Sequence, residues 1–88
     1  MPLQADGGNV VYDNPNENML VLFSRANTKY VLRYRHQFNG VLKVPDGVTI
    51  EFKGGSLKGR IDFNNTKLQG EVRLQGSTIS GHLRNHVF

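Results

Sequence analysis

Four acids, Asp46, Glu51, Asp62 and Glu71, fall in the second half of this 88-residue chain. Paired carboxylates are the usual acid–base apparatus of sugar hydrolysis. Three of the four alternate with apolar residues on regular strand patterns that imply no cleft, so they read as solvated or ion-paired. His82 and His86 stand four apart, but no third ligand is grouped with them, so no metal site is assigned. His36 is isolated and is expected at the surface. Gly54-Gly55-Ser56 has the small residues of a phosphate cradle. It lacks the following helix and the Lys-Ser/Thr of a P-loop, and reads as a corner. Asn64-Asn65-Thr66 matches a glycosylation sequon, and it too is better read as a corner. Tyr30, Tyr34 and Phe38 could stack on a sugar or a partner, while core or hairpin packing is the heavier reading. No catalytic, cofactor-binding or metal-binding residue is assigned, and no cofactor is expected.

The elements that would position these side chains come from a repeat. Thr49–Gly59, Arg60–Gly70 and Glu71–Gly81 share one eleven-residue pattern. It reads x-[Ile/Val]-charged-[Phe/Leu]-polar-[Gly/Asn]-small-x-[Leu/Ile]-x-Gly. Positions two and four (Ile50/Phe52, Ile61/Phe63, Val72/Leu74) flank one charged residue, as on a strand with one buried face. Position nine (Leu57, Leu68, Ile79) sends in a second apolar side chain. Positions six and eleven carry residues that tolerate positive φ and mark corners. Repetition at a fixed step is the mark of a solenoid. The expected fold is all-β: a short β-solenoid of eleven-residue half-coils, preceded by a β-hairpin and an extended N-terminal arm.

The charges at position three suggest a register. Stacking every twenty-two residues would set Glu51 over Arg73 and Asp62 over Arg84, both attractive. Stacking every eleven would oppose like charges. Glu51–Arg73 and Asp62–Arg84 are therefore the candidate ion pairs between rungs.

Residues 1–18 are polar and read as the arm; residues 19–88 read as the hairpin plus solenoid domain. In the arm only Val10-Val11-Tyr12 could make a strand, and it is a candidate docking patch. Met19–Phe23 and Lys29–Tyr34 are the expected hairpin strands. Leu42-Lys43-Val44 followed by Pro45-Asp46-Gly47 reads as a shortened first unit. His82 opens a fourth unit with Leu83 inward, and Asn85 ends its apolar stack.

There are no cysteines and so no disulfides. The longest apolar run, Met19–Phe23, is too short for a membrane span or signal core. Residues 1–24 hold three acids and no Lys or Arg, a net −3, while residues 25–88 carry a net +7. Such basicity could serve an anionic partner such as nucleic acid, an acidic glycan or an acidic protein. No basic cluster is dense or interleaved with aromatics as in a nucleic-acid module, so a solvated surface is the heavier reading and nucleic acid is not expected; with no membrane span, neither is a membrane.

The stretch Lys29–Gly81 resembles right-handed parallel β-helix, pectate-lyase-like proteins of gut bacteria and their tailed phages. The residues that carry the resemblance are KYVLRY, NGVLKVPDGVTIEFKGGSLKG and FNNTKLQG. It implies the solenoid fold and transfers no catalytic residue.

A chain this short buries only about 60–65% of its unfolded surface, so a lone core is marginal. The expectation is a non-enzymatic structural subunit of a larger assembly. The resemblance points to a phage virion, as a capsid decoration, fibre base or adaptor, made in the host cytoplasm. Its partners would be subunits of the same assembly, including copies of itself, with a trimer as one closed form. The candidate contact residues are Val10, Val11, Tyr12, Tyr30, Arg33, Tyr34 and Arg35. The alternatives are the leading coils of a polysaccharide-processing enzyme at the bacterial surface, or a module that binds glycan.

Overall fold

Strands that alternate one inward and one outward side chain, broken at short intervals by residues at positive φ, have to turn repeatedly. Here they wind into about four turns of a β-solenoid. The computed structural model describes residues 9–84. In chain order the elements are β1 (Asn9–Tyr12), α1 (Met19–Leu22), β2 (Thr28–Leu32), β3 (Arg35–Lys43), β4 (Thr49–Phe52), β5 (Ser56–Gly70) and β6 (Thr78–Leu83). One sheet stacks β1, β2, β4 and the C-terminal part of β5; the other stacks β3, the N-terminal part of β5, and β6. Every pairing is parallel.

Position six of the repeat is the corner in all three units: Gly54 (φ +90°), Asn65 (φ +52°) and Gly76 (φ +83°). At Gly55 the constraint is contact instead. A Cβ there would lie 2.7 Å from the Leu32 carbonyl and 2.8 Å from the Tyr34 oxygen. Gly54-Gly55-Ser56 is thus a corner of the solenoid, as expected.

The rung spacing differs from the expected twenty-two residues. Ile50 pairs with Leu68, and Ile61 with Ile79, each eighteen residues on. Position two of one unit therefore lies over position nine of the next, because both are inward apolar positions and seven residues separate them. This register corrects the two ion pairs. Glu51 lies beside Gln69 rather than Arg73, and Asp62 beside Ser80 rather than Arg84. Glu51 instead pairs with Lys29 (2.8 Å) and Lys53 (3.8 Å), and Arg73 with Glu71 (3.5 Å). Arg84 donates to the carbonyls of Asn65 (2.8 Å) and Gly47 (3.1 Å).

The hairpin is also corrected. Met19–Leu22 is a helical turn whose Asn18 cap accepts from the Leu20 N–H at 2.9 Å. Met19 and Phe23, four apart, both enter the core. Thr28–Leu32 then joins the sheet in parallel between β1 and β4. Part of the expected arm is a rung, since Asn9–Tyr12 pairs with β2. Residues 1–8 of that arm, Asn85 and His86 lie outside the described residues.

The core is a set of stacked columns. Val11, Tyr30, Ile50 and Leu68 form one, and Leu42, Ile61 and Ile79 another. Each fully buried Leu, Ile or Phe contributes roughly 1.5–3 kcal/mol.

Candidate functional site

The two ends of these columns differ, and each holds residues that break the apolar pattern. At the N-terminal end the ladder continues past Tyr12 through the Asp13 N–H, which donates to Val31 O at 3.2 Å. In that register Asp13 comes level with Leu32, which lies beside Phe52 on the next rung. A carboxylate therefore occupies a core position. It is fully buried. The second sheet makes a matching exchange: His36 stands beside Leu57 and is itself buried.

The two polar residues satisfy each other. His36 Nε2 lies 2.6 Å from Asp13 Oδ2. An ionised carboxylate only accepts, so this ring nitrogen carries the proton. The β2–β3 corner supplies the rest. The Arg33 N–H reaches both carboxylate oxygens (3.0 and 2.9 Å), and the Tyr34 N–H reaches Oδ2 at 3.0 Å. Arg33 Nε donates to Oδ1 at 3.3 Å, and Nη2 to the Asp13 carbonyl at 2.7 Å. Burial pushes the Asp13 carboxyl up, but the bonds from His36, Arg33 and Tyr34 together outweigh it and hold it below the ordinary carboxylate value. The guanidinium of Arg33 also lies over two rings, 5.1 Å from the Tyr12 centroid and 5.3 Å from that of Tyr34. This cluster ties the first rung to the second. Its carboxylate faces its own chain on every side, which suits a clasp more than a reacting group.

α1 covers the β3 side of this end by packing against it, while β1 pairs with β2 alone and, like the last strand, keeps one edge without a strand partner among the described residues. Phe23 meets Tyr30 with ring centroids 4.5 Å apart, and the Tyr30 hydroxyl accepts from the N–H of Arg25 (3.0 Å) and of Ser24 (3.3 Å).

The C-terminal end has no such closure among the described residues. Leu42 and Ile61 are each 1% exposed, but Ile79, next in the same column, is 45% exposed. Val72, Leu74 and Leu83 are only partly buried against the core. β6 pairs with β5 alone, which leaves its other edge without a strand partner among the described residues.

The expected contact residues separate into two groups. Tyr12, Arg33 and Tyr34 are exposed in part and meet at the N-terminal corner, Arg35 and Val10 are also exposed, and Val11 is half-buried. Tyr30 is buried in the core and cannot meet a partner. His36, expected at the surface, is likewise interior. Asp13 was missed, although continuing the two-residue alternation from Val11 puts it on the inner face.

Comparison of the chain with protein-family models, with curated proteins and with solved structures finds no match to any of them.

Proposed function

We propose that this chain is a non-enzymatic structural module, clasped by a polar cluster at one end and built to stack at the other, within a larger assembly. The observation that carries this reading is the burial of one column: Leu42 and Ile61 are enclosed and Ile79 is open. A parallel strand edge above an unfinished core is a template for another strand. Pairing there would bury Ile79 and give a small core the area it lacks. The occupant is a second copy of the chain or a neighbouring subunit that adds the next rung. A virion is the setting to which the resemblance leads.

Light scattering coupled to size-exclusion chromatography tests this over a range of concentrations. The mass is expected to rise with concentration, and Ile79→Asp is expected to hold the chain monomeric with its circular dichroism unchanged. A wild-type chain that stays monomeric up to millimolar concentration would overturn self-stacking.

A further inference from the structure

The fourth turn does not follow the third along its whole length. β6 pairs with β5 from Arg60 onward, while residues 71–77 swing away from Ser56–Lys58. Two contacts hold the detour. The Leu57 N–H donates to Arg73 O at 3.1 Å. The Ser77 hydroxyl donates to Leu57 O at 2.9 Å and accepts from the Gly59 N–H at 3.3 Å, standing in for the absent strand. Between strand and detour lies an open groove of about 750 Å³.

Its lining is one-signed. Arg35, Lys58 and Arg73 border it, one from each of three successive turns, and no acid does. Arg35 pairs with Ser56, and the Leu57–Arg73 bond places Arg73 on the rung beyond. Two rung spacings put the Arg35 and Arg73 backbones about 10 Å apart, within reach of one oxyanion from both sides. Among the described residues neither Arg35 nor Lys58 forms an ion pair or side-chain hydrogen bond. Leu57, Val72 and Leu74 supply an apolar stretch of the wall, and Ser56, Gln75 and Gly76 complete it. Backbone pairing is closed to an incoming strand, because Leu57 and Gly59 are already satisfied.

We propose that this groove is a binding site for a small organic anion, a carboxylate or phosphate group on an apolar body. The cations would hold the charged group, Arg through its planar fork, while Val72 and Leu74 would cover the apolar part. Glu71, which reaches Arg73 at 3.5 Å from a side chain 80% exposed, is the competitor such a ligand displaces.

An NMR titration of the full chain tests it with phenylacetate, phenyl phosphate, inorganic phosphate and phenylacetamide. Saturable shifts are expected at Lys58, Leu74 and Gln75 with the first two, weaker ones with inorganic phosphate, and none with phenylacetamide. Whichever of phenylacetate and phenyl phosphate binds more tightly names the charged group. Arg35→Gln and Lys58→Gln should each weaken binding about two- to fivefold with unchanged melting. Glu71→Gln should tighten it. Equal binding of phenylacetamide, or shifts that miss the groove, would overturn the site. Inorganic phosphate binding as tightly as phenyl phosphate would overturn the apolar half. Repeating the titration on Ile79→Asp reads the groove independently of self-association.

Discussion

The first and last turns of this solenoid meet the same problem, an exposed core end, in opposite ways. At the N-terminal end a helical turn covers β3, and a buried carboxylate gathers the amides of a corner, an imidazole and a guanidinium. At the C-terminal end the apolar column runs out into solvent at Ile79. A polar clasp specifies one arrangement of one chain, since every donor must find its acceptor. An open apolar rung specifies no particular partner and rewards any matching edge. The contrast sets a polar clasp at the first turn against an exposed apolar column at the last.

The largest effect should come from removing the clasp. Asp13→Ala strands the buried His36 ring and the corner amides, and should cost about 3–5 kcal/mol of unfolding free energy by denaturant titration. A loss below about 1 kcal/mol would make the cluster incidental. Next is the column itself. Leu42→Ala should cost about 2–4 kcal/mol, whereas Ile79→Ala in the monomer should cost under about 1 kcal/mol. Equal costs would erase the difference between the ends.

A third prediction uses pH. The folded-state carboxyl of Asp13 is lowered, so its stabilisation is complete above the unfolded value of about 3.9 and is lost as pH falls through the lower folded value. Asp13→Asn should flatten the acid limb of the stability curve measured by thermal melts. An unchanged acid limb would place the sensitivity elsewhere. The smallest effect is expected at Glu51. Glu51→Gln removes the partly exposed pair with Lys29 and should cost at most about 1 kcal/mol, with the loss shrinking in salt.

The solenoid was legible in the sequence because inward residues and corners repeat. Ile50, Phe52, Leu57, Ile61, Phe63 and Leu68 are all buried, and Gly54, Asn65 and Gly76 all turn the chain. The rung spacing was not legible. An eleven-residue pattern contains two inward segments, and only backbone pairing decides which of them meets which. Position-three charges were a poor guide because surface pairs are too weak to set a register that the core determines. The composition of Met19–Phe23 suits a strand, but the four-residue spacing of Met19 and Phe23 fits the helical turn of Met19–Leu22 and its cap. The clasp was hidden because Asp13 and His36 lie twenty-three residues apart and become neighbours only through the winding. The inward position of Asp13, two residues beyond Val11, was nonetheless visible.

Hydrogen exchange followed by NMR at several protein concentrations tests the contrast between the clasped and the open end most directly. The amides of β2 and of Arg33 and Tyr34 should exchange slowly and independently of concentration. Those of β6 should exchange fastest when dilute and slow as concentration rises. Equal protection at both ends, unmoved by concentration, would contradict it.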